Sequence, residues 1–98
     1  MDRGAVLETL RLHQPELRAA GIVHLRLFGS LARGDATSQS DVDLMAEFDR
    51  SRRRTLVSMT HLKNRLTDLL GVEVDLSSAD SMKEAVRERA FREAILAF

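Results

Sequence analysis

The side chains best suited to chemistry are two aspartates two positions apart, Asp41 and Asp43, and a Gly29-Ser30 pair that precedes them by ten residues. Asp43 stands in an apolar run, Val42-Asp43-Leu44-Met45-Ala46-Glu47-Phe48. In a strand, residues i and i+2 share a face, roughly 7 Å apart along the chain. Asp41 and Asp43 then point one way, and Val42, Leu44, Ala46 and Phe48 the other. Two carboxylates side by side repel each other, and a divalent cation between them keeps both ionised. Gly29 permits an unusual backbone angle and close approach by a ligand. Ser30 to Arg33 reads as the first turn of a short helix, whose free N–H groups and Ser30 hydroxyl would face an anion, with phosphate the obvious candidate. At ordinary residue usage, Gly-Ser-x10-Asp-x-Asp arises about once in 10^5 starting positions. The competing reading, a Gly-Ser turn and then an Asp-rich turn, leaves the paired carboxylates unexplained.

The elements around these residues must bring them together. Ile22 to Phe28 is the first strand and Val42 to Phe48 the second. Ser30 ends one and Asp41 precedes the other, so a shared ligand requires the two to be antiparallel. A helix carrying Leu56, Met59, Leu62, Leu66, Leu69 and Leu70, stopped by Gly71, reads as core. It is long enough for a parallel crossover to a third strand, Val72 to Leu76. That crossover would set Asp75 beside the Asp41/Asp43 face. Residue chemistry leaves two readings of Asp75 open: a third site carboxylate, or a solvent-facing residue of an edge strand. Arg33 is equally open, either a charge-assisted phosphate contact or a surface ion pair with Asp35.

The remaining stretches read as scaffold. Asp2 caps a first helix from about Arg3, with Val6, Leu7 and Leu10 inward. Pro15 to Ala20 is a second short helix, closed by Gly21. His13 is a loop residue without a role, and His24 and Arg26 are partner-side or edge residues. Along the first strand, Val23, Leu25 and Leu27 alternate with His24, Arg26 and Phe28. Asp35 to Ser40 is a loop. The charged run Asp49 to Arg54 precedes the long helix, and Arg52 to Arg54 are either solvated or meet an anion or an acidic partner. Asp80 or Ser81 caps a last helix, Met82 to about Ala97. Its Val86, Ala90, Phe91, Ala94 and Ile95, with Phe98, form an apolar surface wider than one packing face needs, which points to a partner as well as a core.

Composition bounds the function classes. Ninety-eight residues, 44% of them hydrophobic, suit one domain over 1–98 with one core and no separate substrate domain. Fifteen basic and fifteen acidic residues balance, so no global field draws the chain to nucleic acid. Phe is the only aromatic, which argues against a base-stacking surface, and Cys is absent, which excludes disulfides and thiolate metal sites. No signal sequence or membrane span is legible, so the expected setting is the cytoplasm without a membrane partner.

Gly29-Ser30, Ala32-Arg33-Gly34 and Ser40-Asp41-Val42-Asp43-Leu44 resemble the signature of the minimal nucleotidyltransferases of the DNA polymerase beta superfamily. The likeness runs from the first helix to the last and is nearest to MntA-type antitoxins, which pair with HepT toxins. The resemblance implies an α/β (α+β) fold: a small mixed sheet of about three strands flanked by helices. It implies Asp41, Asp43 and Asp75 as catalytic and metal-binding residues, with Gly29, Ser30, Arg33 and Ser40 at the nucleotide. It implies one or two Mg²⁺ ions, ATP as substrate, and AMP transfer to a tyrosine of a HEPN-type toxin. The chain has no Tyr of its own, so tyrosine modification would not be automodification. Two rival readings are an antitoxin that neutralises by binding alone and a stand-alone enzyme acting on a small molecule.

Overall fold

The computed structural model describes residues 2–98, and its first helix begins where the sequence places a cap. The Asp2 carboxylate accepts a 2.8 Å hydrogen bond from the Ala5 N–H, starting α1 (Arg3–Leu12). Val6, Leu7 and Leu10 are its buried stripe. The short α2 (Gln14–Ala19) starts one residue ahead of Pro15. Gly21, at φ +105°, turns the chain into β1 (Ile22–Phe28).

The strand β1 runs into α3 (Gly29–Arg33), and a polar loop leads to β2 (Val42–Phe48). The long helix α4 (Leu56–Leu70) follows Arg52 to Arg54, capped reciprocally by Thr55 and Ser58 and stopped by Gly71. Then come β3 (Val74–Ser78), a 3₁₀ turn over Ala79–Ser81, α5 (Glu84–Glu93) and the two-residue β4 (Ile95–Leu96). The sheet has the order β3-β2-β1-β4. β1 and β2 are antiparallel, β2 and β3 parallel, as the shared ligand and the helical crossover require.

Several expectations differ from the structure in detail. The small mixed sheet is as expected, with a fourth, two-residue strand added to the about three foreseen, because residues 95–96 pair with β1 rather than continuing the last helix. That helix stops at Glu93. It follows Lys83 without a side-chain cap, so neither Asp80 nor Ser81 serves. Leu25 accepts a hydrogen bond from the Ala97 N–H at 2.8 Å and donates to the Phe98 carbonyl at 3.1 Å. These bonds satisfy the open edge of β1, a stronger demand than one more helical turn. Phe98 is consequently core, 9% exposed, and not partner surface. The third strand lies two residues later than expected. Val23 is the extra residue of a bulge, since Ile22 pairs with Phe48 but His24 with Glu47. It is 38% exposed instead of facing the core with Leu25 and Leu27. Leu56 lies on the first turn of α4, beyond the sheet, and is 88% exposed.

The two faces of the sheet are unlike. On one, Leu25, Leu27, Val42, Leu44, Ala46 and Val74 join α1, α2 and α4 in the main core. On the other, Met45 meets Ala79 and Ala90 beneath α5, with Phe28 and Ala94 at the margin. By alternation along β2, Asp43 belongs to this second, less covered face. Among the described residues no helix is long and apolar enough to cross a membrane.

Candidate functional site

Register decides which of the candidate residues meet. Asp43 is the residue opposite Phe28 on β1 and opposite Asp75 on β3. Antiparallel pairing therefore brings the strand end that carries Gly29 to Asp43, and parallel pairing brings Asp75 there from the other side. Gly29 has φ +75°, and a Cβ at that position would collide with the Asp43 carboxylate. Only glycine lets the chain turn that closely past an acidic side chain. Asp41 and Asp75 are exposed, whereas Asp43 is half-buried.

The carboxylates feel one another. Burial first, then the charge of Asp75, then that of Asp41, hold the Asp43 carboxyl above its ordinary pKa, and Arg33 acts in the opposite sense. Arg33 is the last residue of α3. Its Nε donates to Asp35 Oδ2 at 3.2 Å and its Nη1 to Glu93 Oε2 at 3.1 Å. The ion pair with Asp35 is thus real, because Gly34 at φ +84° folds Asp35 back on Arg33. The bond to Glu93 joins α3 to the end of α5, sixty positions away. Nothing in the local sequence around Glu93 signals that role; it reads as one more charge on a solvated helix.

Ser30 and Ser40 differ in what they offer. The Ser30 carbonyl accepts from the Asp35 N–H at 3.0 Å, closing the loop after α3. Its hydroxyl has no hydrogen-bond partner among the described residues. The Ser40 hydroxyl accepts from the Thr37 N–H at 2.9 Å and lies 3.3 Å from the Thr37 hydroxyl. It fastens the turn that delivers Asp41. A small hollow beside Asp41 is bounded by Leu31, Thr37, Ser40 and Val72. A cavity of about 590 Å³ between α2 and α4 lies at the Phe48 end of β2 and includes none of the three aspartates.

Three carboxylates, two of which raise the proton affinity of the third, on an open face beside a glycine turn, are suited to holding a hard cation and the anion it accompanies. Among the described residues no three acidic, His or Cys groups converge closely enough to form a complete metal cage.

A family model of the nucleotidyltransferase domain matches residues 10–97. The chain is 34% identical over 87 residues to the protein adenylyltransferase MntA of Thermococcus cleftensis, covering 88% of this chain and 86% of that protein. It resembles the solved structure of a candidate minimal nucleotidyltransferase at a TM-score of 0.73 and 41% identity, covering 97% of this chain and 95% of the other. A more distant neighbour is the structure of a tri-AMPylated HEPN toxin of Shewanella oneidensis in complex with its MNT antitoxin. That match has a TM-score of 0.66 and 17% identity over 94% of this chain and 71% of the other, and at that identity it speaks to the fold alone.

Proposed function

The chain belongs to the nucleotidyltransferase domain family, to its minimal MntA-type branch, and from that premise we propose that it transfers AMP from ATP to a tyrosine hydroxyl of a HEPN-type toxin, and so acts as that toxin's antitoxin. The class of enzyme follows from the family: this is a nucleotidyltransferase. The observation that supports a catalytic over a purely binding role is the register that sets Asp43 against both Gly29 and Asp75. The protein adenylyltransferase among the relatives supports a protein acceptor over a small molecule.

Each residue has a distinct part. The Gly29 backbone and the Ser30 hydroxyl hold the β and γ phosphates, and Arg33 adds a charge-assisted contact to them. Ser40 sets the turn that presents Asp41 next to the nucleotide. Asp41 and Asp43 would hold Mg²⁺, with Asp75 as a third ligand or as the base at the acceptor. Bound there, Mg²⁺ supplies charge neutralisation at the phosphates and lowers the pKa of a hydroxyl near it. As base, Asp75 accepts the proton of the acceptor hydroxyl. The acceptor oxygen then forms a bond to the α phosphorus, the bond from that phosphorus to the β-phosphate oxygen breaks, and pyrophosphate leaves. Phosphoryl chemistry asks the protein mainly for alignment and charge stabilisation, which is what these groups offer.

The test is the intact mass of the HEPN-type partner after incubation with this chain, ATP and Mg²⁺. The expected result is one or more increments of AMP, lost with Asp43→Asn. A variant Asp43→Asn that binds the partner and still raises its mass at the wild-type rate overturns the enzymatic assignment of the aspartates. One that binds, does not modify and still neutralises the toxin makes the antitoxin effect a matter of masking.

A further inference from the structure

We propose that Glu93 is a positioning residue for Arg33, holding its guanidinium clear of the aspartates so that it meets the nucleotide's phosphates; this rests on the reading of Arg33 as a nucleotide-binding residue. Arg33 is held along two of its edges, Nε by Asp35 and Nη1 by Glu93. Its Nη2 has no hydrogen-bond partner among the described residues. A guanidinium fixed in this way keeps donors available for a planar or tetrahedral anion.

The alternative resting place for Arg33 is also present. Arg33 closes α3, which packs against β2, the strand that carries Asp43. An arginine released from Glu93 has a cluster of carboxylates within its field. Collapsing onto them would neutralise the charge that a cation needs and remove the arginine from the phosphates. Glu93 offers a competing carboxylate, 3.1 Å from Nη1.

Glu93 is stationed by packing. It closes α5, whose Ala90 is buried against Met45 and whose Ala94 lies at the edge of the same cluster. Two residues before it, the Phe91 ring receives the Arg26 guanidinium at 4.6 Å. The carboxylate is thus presented from a helix anchored on the sheet, while α3 alone, five residues long, has little to fix its last side chain. Asp35, the other partner, sits on a loop and is more exposed than Glu93.

The experiment measures binding of a non-hydrolysable ATP analogue with Mg²⁺ by titration calorimetry, so no acceptor is needed. It compares wild type, Glu93→Gln, Glu93→Asp, Arg33→Gln and the double variant Arg33→Gln/Glu93→Gln, with a thermal unfolding curve for each. Freeing one long side chain should weaken binding about three- to tenfold in Glu93→Gln. Glu93→Asp should recover most of that loss, and Glu93→Gln should cost nothing further once Arg33 is Gln, with unfolding temperatures unchanged. Wild-type or tighter binding by Glu93→Gln overturns the proposal, as does an equal loss in both Arg33 backgrounds. A loss that follows a fall in unfolding temperature and is not recovered by Glu93→Asp makes Glu93 merely structural and overturns it too. If Arg33→Gln itself binds as wild type, the fault lies in the reading of Arg33, and the role of Glu93 falls with it.

Discussion

At neutral pH Asp43 works against the fold that contains it. Its carboxyl binds a proton more tightly folded than unfolded, because burial and two neighbouring aspartates penalise the charge. Such a group costs no stability below its ordinary pKa and destabilises the protein fully above the raised one. Asp43→Asn is therefore expected to unfold at a higher temperature than wild type at pH 7 in the absence of divalent ions. The gap should close as the pH is lowered through the carboxylate range. Adding Mg²⁺ and ATP should reverse the order, since a ligand stabilises only the form that binds it; thermal scans with and without the pair check both points. Gly29 fails differently. Gly29→Ala strains a positive φ and drives a methyl group into the Asp43 carboxylate, so a loss of about 1–3 kcal/mol is expected, together with nucleotide binding. A urea curve superimposable on wild type would show that the close approach does not exist in solution.

Among the elements, those that frame the aspartates were the most legible. The alternation of Val42, Leu44, Ala46 and Phe48 fixed β2 to the residue, and the need for Ser30 and Asp41 to share a ligand fixed its direction against β1. Caps and stops were legible where a side chain does local work, as at Asp2, Gly21 and Gly71. What was missed depends on partners far along the chain. Residues 94–97 have nothing locally against a helix; the unpaired edge of β1 makes them extended. The bulge at Val23 is a matter of register with β2, and the bond from Glu93 to Arg33 spans sixty positions. Of the candidate site, the paired aspartates and the glycine turn were readable from spacing, whereas the place of Asp75 opposite Asp43 needed the strand order and the pairing of Arg33 with Asp35 and Glu93 needed the tertiary fold. The reassignment of Phe98 changes what its mutation should do. Phe98→Ala should lower unfolding free energy by about 3 kcal/mol, read from denaturant titration, instead of selectively weakening a partner contact.

On the scale of the whole molecule, the proposed partner binding and chemistry are expected to separate, though through other residues than Phe98. Val86 is 52% exposed on α5 and lies outside both buried clusters. Val86→Asp is expected to weaken capture of the HEPN-type partner, read by co-purification, while leaving nucleotide affinity and unfolding temperature at wild-type values. The end of the chain serves another purpose. Arg11 on α1 donates to the Ala97 and Leu96 carbonyls at 2.8 and 3.0 Å, and β4 lies along β1, so the two termini of the fold are tied through a strand of only two residues. That strand shields an edge whose Leu25 and Leu27 are otherwise ideal for pairing with another molecule. Peeling residues 95–98 away would withdraw Ala97 and Phe98 from the core and open a sticky β1 edge to intermolecular pairing. Damage at this corner should therefore appear first as concentration-dependent light scattering below the melting temperature, with clumping preceding unfolding.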